Sequence, residues 1–119
     1  MANMASRVNE AAAYQQKATG APQGTVYNVP NPKAPAGVTS FDGYDPATNT
    51  LIDAKYWNKW PIDAEFSSRS VVKQAQSQID AAKGTNIVWK IASPEKAANV
   101  QDILDQERIL GITIEFLRP

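Results

Sequence analysis

The sequence of 119 residues contains neither cysteine nor histidine. Without cysteine the chain can form no disulfide framework and offers no thiolate as a nucleophile or metal ligand. Without histidine, every mechanism that depends on imidazole is excluded, including serine triads with a histidine base and histidine-bound zinc. Carboxylates, lysine and hydroxyl groups are therefore the side chains left for chemistry.

Long apolar runs and an excess of charge of one sign are also missing. No run approaches the ~18 apolar residues of a membrane-spanning helix, and the first residues lack the apolar stretch of a secretory signal peptide. The formal net charge is zero, whereas nucleic-acid-binding domains are usually basic. We therefore expect no membrane association, and any non-specific affinity for DNA should be weak and should fall as salt rises.

Helix and strand signals alternate along the chain. The first helix is alanine-rich and stops before Gly20. Ser67 or Ser68 can cap a second helix, and Ser93 followed by Pro94 begins a third. The predicted helices span residues 2–18, 67–83 and 93–109, and the predicted strands span residues 25–29, 38–44, 50–57, 86–92 and 112–117.

This order, α-β-β-β-α-β-α-β, predicts an α/β fold with a mixed β-sheet flanked by helices. The strands at 86–92 and 112–117 are separated by a helix, so we expect them to be parallel neighbours joined by a right-handed crossover. The length suits a single domain with one core. Because the last predicted strand lies two residues from Pro119, we expect residues 1–119 to be the C-terminal module of a longer protein.

The predicted hairpin formed by residues 38–44 and 50–57 carries the most informative pattern. If its turn is centred between Ala47 and Thr48, Asp42 lies opposite Asp53, with Cβ atoms about 4.5–5.5 Å apart. Two carboxylates at that separation can hold one hard cation. Side chains alternate along a strand, so Lys55 shares the face of Asp53. Ile52 and Ala54 are expected to point the other way, so one face of the hairpin should be ionic and the other apolar.

The same residues also fit an ordinary surface. Asp42 before Gly43 can simply shape a strand end, and Asp53 with Lys55 can be a solvated ion pair contributing ~0–1 kcal/mol. Geometry alone leaves the metal site and the solvated pair as alternatives.

Two further groups of residues lie near the hairpin in the predicted fold. Gln74 and Gln78 are four residues apart, so they are neighbours on one face of the second helix. The basic residues Lys59, Arg69 and Lys73 are a solvated surface by default and a candidate track for nucleic-acid phosphates by hypothesis. Gln74 and Gln78 are likewise more typical of a helix surface than of a site.

An Asp, a turn and then Asp-Xaa-Lys on the next strand, placed between helices, resembles the core of the PD-(D/E)XK nucleases. No proline precedes Asp42, which departs from the broader nuclease pattern. A longer set of blocks, covering roughly residues 8–119, resembles the fifth restriction-endonuclease-fold toxin family of bacterial polymorphic toxin systems. These blocks are Tyr14-Gln15, Thr19-Gly20-Ala21-Pro22, Phe41-Asp42-Gly43-Tyr44, Leu51-Ile52-Asp53-Ala54-Lys55, Gln74-Ala75 with Gln78, Gly84, Trp89 and Gly111-Ile112.

The resemblance implies a restriction-endonuclease-like fold and a metal-dependent DNase that acts as an antibacterial toxin. It also implies delivery into the target-cell cytoplasm by a type VI or contact-dependent secretion system, and a cognate immunity protein as partner. The implied catalytic residues are Asp42, Asp53, Lys55, Gln74 and Gln78. The family usually carries a glutamate on the first helix, so Glu10 becomes a candidate catalytic residue and third metal ligand.

Phosphodiester hydrolysis explains why such a set would be needed. Asp42 and Asp53 would hold Mg²⁺ or Mn²⁺, which prefer carboxylate and water oxygens and which lower the pKa of bound water and neutralise the phosphate. Lys55 would orient or deprotonate that water and add positive charge at the transition state. Gln74 and Gln78 would position the water or bind a phosphate oxygen. The alternatives are an RNase on the same fold and a non-catalytic protein-binding module of the immunity or adaptor kind.

Overall fold

A computed structural model describes residues 4–56 and 64–119 of the chain, with side chains described for residues 10–56 and 68–119. Three helices and six strands are present in these ranges, in the order α-β-β-β-β-α-β-α-β. They are α1 (Met4–Thr19), β1 (Tyr27–Pro30), β2 (Val38–Phe41), β3 (Gly43–Asp45), β4 (Thr50–Lys55), α2 (Ala64–Ala82), β5 (Asn86–Ile91), α3 (Pro94–Gln106) and β6 (Ile112–Phe116).

The strands form one four-stranded sheet and one two-stranded ribbon. The sheet has the order β3-β4-β5-β6, in which β3 and β4 are antiparallel while β4, β5 and β6 run parallel. The ribbon pairs β1 with β2 in antiparallel fashion. The predicted mixed sheet flanked by helices is therefore confirmed, and so is the parallel pairing of β5 with β6 across α3.

The predicted strand at 38–44 is two strands, because the chain leaves the ribbon and joins the main sheet at Asp42. On the sheet side, Gly43 pairs with Ile52, and the backbone N–H of Asp42 donates to the carbonyl of Ile52 at 3.0 Å. Extending this antiparallel register by one residue places Asp42 opposite Asp53. This is the pairing predicted from a turn centred between Ala47 and Thr48. The extra strand in the observed order comes from this single break.

The helix boundaries differ from the prediction by three residues or more at two ends, the start of α2 and the end of α3. Helix α2 begins at Ala64, so Ser67 and Ser68 lie inside it and the predicted cap there is wrong. Helix α3 begins at Pro94 as predicted, with the Ser93 side chain accepting a hydrogen bond from the backbone N–H of Lys96. It ends at Gln106, three residues earlier than predicted. Strand β4 ends at Lys55, before the predicted end at residue 57. The predicted irregular segment at 58–65 is wrong at residues 64 and 65, which belong to α2, and its other residues lie outside the described ones.

The helices cover both faces of the sheet. On one face, Leu51, Ile87, Trp89 and Ile91 form the core with side chains from α2 and α3, among them Val71, Ala75, Val100 and Leu104. Helix α1 packs on β4, on the other face, where the Lys90 ammonium donates to the carbonyl of Ala18 at 3.0 Å. In the residues that the structure describes, no helix has both the length and the apolar character needed to cross a bilayer.

The expectation of one ionic and one apolar face on β4 is wrong. Asp53 pairs with Trp89 in the parallel register and Lys55 with Ile91, so the charged side chains share the face of the main apolar core. Both are almost completely buried, at 5% and 8% exposed. The periodicity of a strand gives the side on which a residue lies, whereas burial is decided by what packs on that side, here α2.

Candidate active site

Two aspartates lie side by side where β3 meets β4. Asp53 is on β4, and Asp42 is at the junction between β2 and β3. The carboxylate Oδ2 of Asp42 accepts a hydrogen bond from the backbone N–H of Ala54 at 2.7 Å. Burial, the negative charge of Asp53 and a hydrogen bond with Asp53 together raise the pKa of Asp42 to about 6, although the Ala54 N–H and the charge of Lys55 act in the opposite direction. The two carboxylates are therefore close enough to oppose each other's ionisation.

Lys55 supplies the positive charge of the site. Its Nζ lies 2.5 Å from Oδ2 of Asp53 in an ion pair that is buried on both sides. The same ammonium donates to Oε1 of Gln74 at 2.6 Å and lies 4.8 Å from the ring centroid of Trp89, within cation–π range. A buried ion pair offsets its desolvation cost only with good geometry and additional hydrogen bonds, and Gln74 provides one of them.

The two glutamines of α2 converge on the same carboxylate oxygen. Nε2 of Gln74 donates to Oδ2 of Asp53 at 3.3 Å, and Nε2 of Gln78 donates to it at 3.2 Å. Gln78 is completely buried. The structure thus brings together five of the six predicted catalytic residues, namely Asp42, Asp53, Lys55, Gln74 and Gln78.

Trp89, which the sequence analysis names only among the blocks of the family resemblance, belongs to this cluster. Its indole Nε1 donates to Oε1 of Gln78 at 2.7 Å, and both side chains are fully buried. A buried tryptophan N–H usually has an acceptor, and that rule was the available sequence signal. Which acceptor the indole N–H meets depends on how α2 packs on β5, and no local sequence pattern predicts that packing. Among the described residues, every buried polar side-chain atom has a hydrogen-bond partner.

Glu10 lies apart from the two aspartates. Its side chain is exposed, and its Oε2 accepts a hydrogen bond from the hydroxyl of Tyr56 at 3.1 Å. Within residues 10–56 and 68–119, no three acidic, histidine or cysteine side chains gather in a way that could hold a metal ion. The role of Glu10 as a metal ligand stays a prediction.

The predicted phosphate track is described only in part. Arg69 and Lys73 are exposed and one turn apart on α2. Lys73 and Gln74 line the same groove, which places Lys73 at the edge of the site. Lys59 lies outside the described residues.

The carboxylate pair suits a divalent cation of the magnesium type. Mg²⁺ usually binds proteins through one or two carboxylates and keeps several waters, which is the number of acids that this site offers. A cation between the two groups would also remove the repulsion that raises the pKa of Asp42. The donors are hard oxygens, as Mg²⁺ and Mn²⁺ require.

A mixed sheet between helices, with one aspartate at a strand junction and Asp-Xaa-Lys on the adjoining strand, defines a protein of the restriction-endonuclease-like class. Residues 11–94 match the family model for restriction endonuclease fold toxin 5. The match covers more than half of the chain, and the protein belongs to this family. This membership confirms the resemblance seen in the sequence and indicates a nuclease toxin. Searches of the curated proteins and of the solved structures found no match.

Proposed function

We propose that this domain is a metal-dependent endonuclease that acts as an antibacterial toxin by hydrolysing phosphodiester bonds in target-cell DNA. The observation that carries the proposal is the cluster of Asp42, Asp53 and Lys55, in which two neighbouring carboxylates and one ammonium meet at the end of β4. Family membership supports the toxin role.

Asp42 and Asp53 are the residues that would hold Mg²⁺ or Mn²⁺. When bound there, the ion supplies Lewis-acid chemistry, lowering the pKa of a water and offsetting the charge of the phosphate. The chain holds the carboxylates ready for that task. Asp42 is fixed by the N–H of Ala54, and Asp53 is fixed by Lys55 and the two glutamine amides.

Lys55 acts as a preorganised positive charge next to the scissile phosphate. Its ammonium is already held by Asp53 and Gln74, so it needs little reorganisation when negative charge grows on the phosphate oxygens. The same position lets it hydrogen-bond the attacking water. Gln74, which contacts both Lys55 and Asp53, keeps the two charged groups in a fixed relation and can donate to a phosphate oxygen.

The test is the degradation of DNA by the purified domain with Mg²⁺, with plasmid DNA and single-stranded circular DNA as parallel substrates. Asp53→Asn keeps the shape of the side chain and removes its charge, so cleavage should be lost. Asp80→Asn, an exposed acid on the same helix as the glutamines, should cleave like the parent chain. Equal cleavage by Asp53→Asn and the parent would remove the proposed site. Urea unfolding of each variant verifies that it is folded.

The alternatives are separated by two further measurements. Parallel digestion of DNA and RNA distinguishes a DNase from an RNase on the same fold. Titration calorimetry with Mn²⁺ distinguishes an enzyme from a non-catalytic binding module, because only a metal site gives heat that Asp42→Asn abolishes. The same titration of Glu10→Gln tests the predicted third ligand. Weaker Mn²⁺ binding supports it, and unchanged binding removes Glu10 from the site.

The setting of the domain is proposed from family membership. In this proposal, residues 1–119 are the toxic C-terminal module of a larger effector, which a type VI or contact-dependent secretion system delivers to the target-cell cytoplasm. A cognate immunity protein neutralises the domain in the producing cell. Co-expression with a candidate immunity gene is the test: rescue of growth in cells that make the domain supports this setting, and continued toxicity opposes it.

A further inference from the structure

A groove of about 680 Å³ runs beside the active site between helix α2 and residues 34–40, which form the end of the loop before β2 and the first part of β2. One wall is mostly apolar, and it consists of Ala34, Pro35, Ala36 and Val38 followed by the hydroxyl residues Thr39 and Ser40. Its side chains are mostly exposed, so they are available to a ligand.

The opposite wall is polar and belongs to α2. It presents Ser70, Lys73, Gln74 and Ser77 to the groove. Lys73 is an exposed cation, and no acidic side chain is among the described residues that line the groove. The groove can therefore contact an apolar part of a ligand with one wall and an anionic part with the other.

The groove is held in shape by a buried polar network at its base. Nδ2 of Asn31 donates to the hydroxyl of Thr39 at 2.9 Å and to the carbonyl of Ser77 at 3.3 Å. The hydroxyls of Thr39 and Ser77 are also within hydrogen-bond distance, at 3.1 Å. Asn31 is 4% exposed. These bonds tie the loop wall to the helix wall, so the groove does not depend on a ligand to form.

The groove shares two residues with the active site. Gln74 and Gln78 line it, and both donate to Oδ2 of Asp53. A chain lying in the groove would therefore contact Gln74, which also holds the carboxylate of Asp53. We propose that the groove binds a single, unpaired strand of nucleic acid, with phosphates along Lys73 and the serines and with bases against the apolar wall. This inference rests on the proposed nuclease function and specifies the form of its substrate.

Shape decides between a single strand and a duplex. The groove is open to solvent along its length and has room for a short length of one strand. Proteins read the bases of a duplex by inserting a helix or strand into its grooves, whereas this surface is concave. In a duplex the base faces are stacked and could not meet the apolar wall. Bases become available to such a wall only when a strand is unpaired.

The experiment measures fluorescence anisotropy of short labelled oligonucleotides with the full chain in EDTA, so that no cleavage occurs. We expect a single strand to bind about tenfold more tightly than a duplex of the same sequence. A strand of equal length with abasic sites should bind about tenfold more weakly than the intact strand, because base contacts are lost. DNA and RNA strands are compared in parallel, since both share the chemistry that the groove recognises.

Two pairs of variants locate the binding. Ala36→Glu places a negative charge in the groove, and its control Ala98→Glu makes the same change at an exposed position of α3.

Lys73→Ala should lower the slope of log affinity against log salt by about 0.7, which corresponds to the loss of one phosphate contact on a single strand. Lys83→Ala is its control at the end of the same helix. Because Lys83 already has a φ of 49°, alanine there adds no new backbone strain.

Weaker single-strand binding by Ala36→Glu and Lys73→Ala, with both controls like the parent chain, supports the proposal. Tighter binding of duplex than of single strand, equal binding of abasic and intact strands, or equal losses in variant and control would each overturn it. Failure of the nuclease function is a separate result. If no substrate is cleaved with any metal but the strand binds in the groove, the catalytic proposal is wrong and the groove proposal stands. If single strands are cleaved and Ala36→Glu does not change that cleavage, the groove proposal is wrong and the catalytic proposal stands.

Discussion

Trp89 donates its indole N–H to Oε1 of Gln78 at 2.7 Å, and neither side chain is exposed to solvent. This contact fixes the direction of the Gln78 amide. With Oε1 turned to the indole, Nε2 must face Asp53, to which it donates at 3.2 Å. A residue of β5 therefore sets the orientation of a helix side chain that holds the aspartate of β4.

We expect Trp89→Phe to lose the hydrogen bond that orients the Gln78 amide, while it keeps an aromatic ring in the core. Oε1 of Gln78 would be left buried without its donor, which costs about 1–3 kcal/mol in the free energy of unfolding. Cleavage should fall as well, because the Gln78 amide loses one of its two anchors and holds Asp53 less firmly. Urea unfolding and plasmid cleavage are the two measurements. Parent-like cleavage by a folded Trp89→Phe would show that the orientation of Gln78 is set by other contacts.

Asp42 should make the stability of the metal-free protein depend on pH. Its pKa is raised from an ordinary 3.8 to about 6 in the folded chain. Below the ordinary value both states are protonated. As pH rises toward the folded pKa, the unfolded chain releases this proton first, so the contribution of Asp42 to stability is lost.

The variant Asp42→Asn removes that loss, so in EDTA it should be more stable than the parent chain at about pH 7 and no more stable at about pH 4. Asp42 is half-buried, and solvent screening keeps the expected difference to about 1 kcal/mol. Thermal unfolding at the two pH values measures it. Added Mn²⁺ should reverse the order at neutral pH by stabilising only the parent. A variant less stable than the parent at neutral pH in EDTA would contradict the assignment.

Gly43 allows helix α1 to approach β3 closely. A Cβ on this residue would lie 2.7 Å from Cβ of Thr19 and 2.9 Å from its Cγ2, which is shorter than any ordinary contact. We expect Gly43→Ala to destabilise the protein by about 1–3 kcal/mol, because the helix must shift away from the strand. Urea unfolding measures the cost. The double variant with Thr19→Gly should lose less stability than the sum of the two single variants, and strict additivity would show that the clash is relieved elsewhere.

Tyr14 links α1 to the chain after β6. Its hydroxyl donates to the carbonyl of Leu117 at 2.8 Å, and burial raises its pKa from 10.0 to about 12. Between these values the unfolded chain loses the phenol proton and the folded chain keeps it, so stability should fall as pH rises through this window.

Tyr14→Phe should lower stability by about 1 kcal/mol at neutral pH, the value of one hydrogen bond, and should remove this alkaline loss. Tyr56→Phe is a matched control, because its hydroxyl bonds to Glu10 at an exposed position and its removal should cost little. Unfolding by urea at neutral and alkaline pH provides the comparison. An alkaline loss of equal size in the parent chain and in Tyr14→Phe would assign it to another group.

Local patterns predicted those parts of the fold that local physics controls. The turn after Asp45 fixed the hairpin register, so Asp42 opposite Asp53 could be predicted before the structure. Ser93 and Pro94 likewise located the start of α3. In these cases a few neighbouring residues decide the backbone.

Contacts between distant segments could not be predicted in the same way. The burial of the Asp53–Lys55 pair depends on glutamines more than twenty residues further along the chain from Asp53. Residue type also gave no signal for the strand break at Asp42, since strand-forming residues stand on both sides of it. That break exists because two different partners, β1 and β4, compete for one extended segment.

The position of Asp42 at the crossing from the ribbon to the main sheet restricts how the gene can vary. Side chains alternate along an extended chain, so deleting or inserting one codon between β2 and β3 would turn the acid to the opposite side. The loop before β2 has no such constraint, since changes in its length leave the phase of the later strands intact. Length variation among related toxins should therefore concentrate before residue 38 and be absent from residues 38–45.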